Sequence, residues 1–398
     1  MNRDDFYLLS NDLIYFDNGA TTLKPKCVVD SELEYYSKYC SNAHRGDYSN
    51  SHVVDSMYEG VRKKIQEFIH AKETSEIVFT SGATDGLNRV VFGYFRYHLH
   101  KGDEVLITKS EHASNVLPWF VLQDEIGIVV KYIDLDENNC VTLENVKMAV
   151  TNKTKVISLA YVTNVVGDIR PMRDICQFAH QHHILVVGDG SQSVGHTITD
   201  VVGDDIDFFV ASAHKFYGPT GVGFLYGKFD LLDVMKPMFY GGGMNAIYDV
   251  SGYMELREVP TKFEAGTQNL AGVLGMGEAI DYLSRIGMNV IIKHEHKLKE
   301  YLIDRLKELD NIILYNEDGV GSIVSFNLKD IFSQDVSVYL DKYHICVRSG
   351  NHCSKILKNT FGVDNTCRVS FGIYNTMEEI DTFIEVIKNI DNIWNEIL

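Results

Sequence analysis

Proline is scarce, at six residues in 398, so no proline-rich linker marks where one part of the chain ends and the next begins. Positive charge is short as well: 37 Lys and Arg stand against 55 Asp and Glu, a net charge of −18. Sequence-independent nucleic-acid binding needs basic contacts to phosphate, which excludes that class of function and leaves small molecules and proteins as the expected partners. No apolar run approaches the ~20 residues of a membrane span, so no membrane partner is expected. Residues 1–16 carry Asp4, Asp5 and Asp12 and lack the basic-then-apolar pattern of a secretory signal, so a cytoplasmic protein is expected. The seven cysteines, at 27, 40, 140, 176, 346, 353 and 367, contain no CxxC pair; a zinc site or disulfide framework is not expected, and no residue is assigned to a metal. Nucleotide-binding glycine motifs of the G-x-x-x-x-G-K-[ST] and G-x-G-x-x-G types are missing too.

What is present suits a globular enzyme: 45% hydrophobic and 23% charged residues, in a chain long enough for a large domain and a smaller one. Short β-branched or aromatic runs at 76–80, 104–108, 129–133, 156–162, 184–188, 207–212 and 222–226 alternate with helical stretches. That pattern predicts an α/β fold with a mostly parallel seven-stranded sheet covered on both faces. Ligands of such sheets sit beyond the strand ends. After residue 270 the pattern changes to a helical stretch over 271–309 broken at Gly287, strands near 311–315, 322–328, 345–348 and 367–371, a helix near 335–342 and a closing helix from Met377. The expected division is a large domain over 15–286 and a smaller α+β domain made of 1–14 and 287–398.

Lys215 lies between the apolar run Phe208-Phe209-Val210-Ala211 and the turn Gly218-Pro219-Thr220-Gly221. An amine emerging there, partly desolvated, would have a depressed pKa and act as a nucleophile toward a cofactor aldehyde. Asp189 ends another apolar run, where a carboxylate needs a cationic partner. Thr80-Ser81-Gly82-Ala83-Thr84-Asp85-Gly86 leads from a strand to a helix over 87–99, and its amides suit a phosphate, although an ordinary N-capped turn has the same composition.

In order along the chain these residues, with His112, Asn164, Gln192, Ser212 and His214, resemble the pyridoxal-phosphate enzymes of the aspartate-aminotransferase fold, in the class V aminotransferase and cysteine desulfurase family. The likeness is nearest to the SufS-type (group II) desulfurases and spans nearly the whole chain. It is carried by Tyr15-Phe16-Asp17-Asn18-Gly19-Ala20-Thr21-Thr22, Asn42-Ala43-His44-Arg45-Gly46, Glu111-His112, Phe263-Glu264-Ala265-Gly266-Thr267, Arg348 to Cys353, and Cys367-Arg368-Val369-Ser370.

The resemblance implies roles. Lys215 would carry pyridoxal 5'-phosphate as a Schiff base and move the substrate Cα proton, His112 would stack on the ring, Asp189 would pair the ring nitrogen and Gln192 the ring hydroxyl. Thr84, Ser212 and His214 would hold the phosphate, with Thr267 reaching it from the second subunit of a homodimer. Asn164 and Arg368 would hold the substrate carboxylate, with Arg348 and His44 also binding substrate. Cys353 would take sulfur from L-cysteine as a persulfide, helped by His352 and Arg348, and pass it to a SufE- or SufU-type acceptor for iron–sulfur cluster or thiocofactor assembly.

Departures from the pattern are Ala83 for a second threonine, Ala113 for a second histidine, Asn351 for the first histidine of His-His-Cys, and Gln334 where partners of SufU-type acceptors carry histidine. Selenocysteine lyase, cysteine-sulfinate desulfinase and a noncatalytic assembly subunit remain as alternatives. An internal carboxylate is the plainer partner for Arg368, and a satisfied core or capping histidine on an apolar helix is the plainer reading of His112. His294-Glu295-His296 reads as an exposed charged helix face rather than a metal site, because positions i and i+2 point apart.

Overall fold

The structure, a computed structural model, describes residues 2–10, 12–44, 46–315, 317 and 321–390. Arg45 and residues 391–398, the tail of the expected smaller domain, lie outside the described residues.

All seven apolar runs form strands of one sheet: β1 (Ile77–Thr80), β2 (Glu104–Thr108), β3 (Val129–Ile133), β4 (Thr154–Ala160), β5 (Leu185–Asp189), β6 (Phe208–Ser212) and β7 (Gly223–Gly227). Their order is β1-β7-β6-β5-β4-β2-β3. Only β7 runs against its neighbours, pairing antiparallel with β1 and β6. The near-continuous hydrophobicity follows from burial on both faces. Along β6, Phe208 and Val210 join one core with Val90 and Trp119, while Phe209 and Ala211 join another with Val54 and Ile65. This is the two-residue alternation of a strand applied to a sheet with no wet side.

Helices α1 (Ser49–Phe68), α2 (Ala83–Val90), α3 (Leu117–Ile126) and α4 (Leu270–Ile286) supply much of the cover. The helix expected over 87–99 starts four residues earlier, at Ala83, and passes into a wider turn over Val91–Phe95. Gly82 adopts φ 143°, a conformation that closes the strand and lets the next residue begin the helix.

Gly287, at φ 92°, ends α4 and lets α5 (Met288–Leu306) start in a new direction, at the break expected from sequence. A four-stranded antiparallel sheet follows, of order β10-β11-β13-β12, when the hairpin strands Asn245–Tyr248 and Met254–Leu256 are numbered β8 and β9. Its strands are β10 (Ile312–Leu314), β11 (Ile323–Leu328), β12 (Arg348–Gly350) and β13 (Thr366–Ser370). With α5, α6 (Ser333–Asp341) and α7 (Met377–Lys388) they enclose a separate core of Leu298, Leu302, Phe326, Tyr339, Val369 and Phe383.

On α5 the expected exposed face is corrected. Glu295 is only 2% exposed, and His294 turns in to bond the Asn375 carbonyl at 3.0 Å. Of the three residues only His296 keeps a surface partner, Glu300, at 3.4 Å.

Candidate active site

The strands that run parallel end along one rim, and the turns beyond β1, β2, β4, β5 and β6 converge there. Asp189 and Ser212 end their strands, Thr84 opens α2, and His112, Asn164, His214 and Lys215 come from the turns; Arg348, Cys353 and Arg368 come from β12, β13 and the loop between them. All ten line one cleft of about 230 Å³. The first group is where an α/β sheet puts its ligands.

After β1 the backbone closes on β6. The Ala83 amide donates to Ser212 Oγ at 2.7 Å, and a Cβ on Gly82 would lie 3.1 Å from that oxygen. Thr84 Oγ1 meets Ser114 Oγ at 2.7 Å. The start of α2, two hydroxyls and His214 thus face a common space, a donor set suited to an anion. Burial, with Lys215 and Lys24 nearby, pushes His214 down to about 4, so its imidazole is neutral at pH 7.

His112 does not sit on the apolar helix. It caps the turn Ala113–Asn115, its Nδ1 accepting from the Ser114 amide at 3.1 Å. Burial first and the Lys215 charge second lower its pKa, so it too is neutral, with the proton on Nε2. Its neighbour Glu111 fixes the segment. The Glu111 carboxylate accepts from Thr108 Oγ1, Asn115 Nδ2 and the Ala160 amide, each at 2.8 Å, and pairs with Arg170. Both side chains of that pair are 0% exposed. An Arg170→Met variant leaves a buried carboxylate without its counter-ion and is expected to lose about 3–5 kcal/mol of stability, to be read from urea unfolding.

Asp189 accepts from the Ser191 amide at 2.9 Å and from Ser191 Oγ at 2.5 Å, both on Oδ1. Among the described residues Oδ2 takes no hydrogen bond, so the carboxylate retains capacity for a cation. Lys215 ends the turn Ala213–Lys215 directly after β6. Burial lowers its amine to about 8; Asp189 opposes the shift and Arg368 adds to it. A useful fraction is therefore free base near neutral pH.

Cys353 is exposed, on a turn where Gly350, His352 and Cys353 all have positive φ. That turn is stitched to the rim. The Cys353 carbonyl accepts from the Ala113 amide at 2.8 Å, the His352 carbonyl from Asn164 Nδ2 at 2.6 Å, and Ser354 Oγ donates to Asn164 Oδ1 at 2.9 Å. The His352 ring, expected to help the thiol, instead contacts the Thr366 hydroxyl at 2.9 Å and the Thr366 carbonyl at 3.1 Å.

Arg368 donates to the Asn164 carbonyl at 2.8 Å and to Asp17 at 3.0 Å, while among the described residues its buried Nε takes no partner. The internal carboxylate is thus the observed partner. A substrate carboxylate at this guanidinium would exchange with Asp17, which Arg348 also approaches at 3.8 Å.

Three expected residues stand apart. Gln192 is buried behind the cleft, donating to the Gly19 carbonyl at 2.8 Å. His44 does not reach the cleft of its own chain, because its ring pairs with Glu59 at 3.3 Å on α1. It borders a second cleft, beside Gly266 and Gln268, and Thr267 accepts from Asn42 at 3.2 Å in the same region.

The sequence profile described as "Aminotransferase class-V" matches residues 14–383. A protein of Halalkalibacterium halodurans described as "Probable cysteine desulfurase" is 41% identical over 93% of this chain and 91% of its own. The solved cysteine desulfurase of Thermococcus onnurineus superposes with TM-score 0.94 at 35% identity, over 98% of this chain and 96% of that one. The cysteine desulfurase CsdA of Escherichia coli gives 0.92 at 31%, over 99% and 97%.

The chain belongs to the class V aminotransferase family, among its cysteine desulfurases.

Gly19, Ala20, Ser114 and Ser191, none of them assigned a role from sequence, also line this desulfurase cleft, and Asp17 engages Arg368. Asp17 is the only charge in Tyr15-Phe16-Asp17-Asn18. Its arginine lies 351 residues away, a pairing local pattern does not disclose. Among the described residues no helix of this desulfurase is long and apolar enough to cross a membrane.

Proposed function

We propose that this protein is a pyridoxal 5'-phosphate-dependent cysteine desulfurase that converts L-cysteine to L-alanine and retains the sulfur on Cys353 as a persulfide. One observation carries the reading: Lys215, with its amine lowered to about 8, and the exposed thiol-bearing Cys353 line the same cleft.

The residues present fit the cofactor. The hydroxyl and amide cradle of Thr84, Ser212, His214 and the start of α2 matches a phosphate, the open oxygen of Asp189 a protonated ring nitrogen, and the low-pKa Lys215 an aldehyde. When bound, the cofactor supplies an electron sink for negative charge at the substrate Cα. Gln192 is assigned to the ring hydroxyl and neutral His112 to the ring face. Lys215 takes and returns the Cα proton. Asn164, Arg368 and Arg348 orient the α-carboxylate, Arg368 by exchanging Asp17 for it. The Cys353 thiolate attacks the substrate sulfur, forming the S–S bond as the Cβ–S bond breaks. The electron pair goes to carbon, which is protonated to alanine.

The active unit in this proposal is a homodimer in which Thr267 and His44 complete the partner's cleft. The chain divides into 15–286 and 1–14 with 287–398. The protein works in the cytoplasm as a SufS-type enzyme, handing sulfur to a SufE- or SufU-type acceptor for iron–sulfur cluster or thiocofactor assembly. Gln334, which accepts from Ser333 Oγ at 3.0 Å, stands where a histidine would serve zinc exchange, and this favours the SufE type.

The test is to supply purified protein with L-cysteine, L-selenocysteine or L-cysteine sulfinate and measure alanine, with mass spectrometry of the Cys353 peptide. Alanine from cysteine together with one added sulfur on that peptide is expected. Alanine from sulfinate or selenocysteine alone would reassign the enzyme to one of those two substrates.

A further inference from the structure

His196 and Glu295 meet against the main chain of Lys215. The imidazole Nδ1 lies 2.9 and 3.1 Å from the two Glu295 oxygens, and Nε2 lies 3.0 Å from the Lys215 carbonyl oxygen. A carboxylate and a carbonyl only accept. Both ring nitrogens must therefore donate, which makes His196 an imidazolium held between two acceptors. Burial pulls its pKa down, but the charge and hydrogen bond of Glu295 outweigh that and hold it above the ordinary value. His196 is 9% and Glu295 2% exposed, so water does not compete for these bonds.

Tyr217, two residues after Lys215, closes the group. Its hydroxyl lies 3.5 Å from Glu295 and accepts from the Ile373 amide at 3.0 Å, and its ring stands beside the imidazole. Glu295 itself sits on α5 between Ile291, which packs in the core under the large sheet, and Leu298, which packs in the core of the smaller one. A continuous path of hydrogen bonds thus runs from the Lys215 backbone through the imidazolium to the helix that bridges both cores.

We propose that His196 is a positioning residue which, with Glu295 as its counter-ion, clamps the Lys215 main chain to α5 and keeps the amine directed into the cleft. This rests on the role given to Lys215 above. In Glu295→Gln the imidazole loses the partner that holds it protonated, so the pair passes from neutral to neutral and does not by itself move the Lys215 amine, whereas His196→Leu leaves the Glu295 carboxylate and is read by turnover alone. Loosening the lysine moves its amine, by letting water reach it.

The experiment uses Glu295→Gln, nearly isosteric, and His196→Leu. With cofactor-loaded protein and L-cysteine, kcat is expected to fall about 3–10-fold in Glu295→Gln and about 10–100-fold in His196→Leu, with KM held within about threefold. In cofactor-free protein, the pH midpoint for reductive methylation of Lys215, about 8 in the wild type, is expected to rise in Glu295→Gln. If His196→Leu does not fold, Glu295→Gln decides alone. An unmoved midpoint in folded Glu295→Gln overturns the proposal, whatever happens to turnover. A wild type that makes no alanine from cysteine defeats the proposed function instead, and the midpoint still decides this inference.

Discussion

Replacing Lys215 by alanine is expected to lower alanine formation from L-cysteine by roughly 10³–10⁴-fold, the scale of losing a positioned general acid–base that is also the covalent anchor. Turnover within tenfold of wild type would remove Lys215 from the reaction. The amine also leaves a signature that needs no cofactor. Below pH 8 it is mostly protonated and resists reductive methylation, whereas above pH 8 it reacts, while exposed lysines require more alkaline conditions. Its folded value, about 8, lies below the 10.5 of a free lysine. Between those two values Lys215 binds its proton more tightly in the unfolded chain than in the folded one, so its own contribution to the stability of the cofactor-free protein rises from pH 8 to 10.5, against the opposing contributions of buried groups such as Cys176 and Tyr161. Lys215→Ala lacks that contribution, so the urea midpoint of the wild type should rise relative to that of the variant between pH 8 and 10.5.

Cys353→Ala is expected to stop persulfide formation and cut cysteine turnover by at least ~10²-fold, as loss of the attacking group does in other covalent mechanisms. Fold and cofactor colour should be unchanged, because the side chain is exposed. Turnover of cysteine sulfinate, whose sulfur departs without a thiol acceptor, should persist. That split separates the thiol from general damage to the site. Equal use of cysteine by the variant would sink the assignment.

The large sheet was legible because its inner strands bury both faces and so read as near-continuous apolar runs, and Gly287 marked the helix break because positive φ favours glycine. The start of α2 was missed: Ala83-Thr84-Asp85-Gly86 reads as a turn, and only the contact with Ser212, 129 residues on, shows where the helix begins. Most of the cleft was legible from the ordered motifs. The misplacements share one physical cause, a partner far away in sequence. Glu295 looked solvent-facing because nothing near it reveals His196, 99 residues earlier. His44 meets Glu59 on the next helix, a contact that nothing in Asn42-Ala43-His44 reveals, and its place at substrate belongs to the proposed dimer.

The turn bearing the thiol sets chemistry against backbone preference. His352 and Cys353 are consecutive non-glycine residues at φ 48° and 57°, a conformation that costs an L-residue about 1–2 kcal/mol. Glycine at 353 would remove that cost while losing about 0.5–1 kcal/mol through greater freedom of the unfolded chain. A Cys353→Gly protein should therefore unfold at the same or slightly higher urea concentration while being chemically inert. Selection for thermal robustness alone would therefore favour glycine over cysteine at this bend.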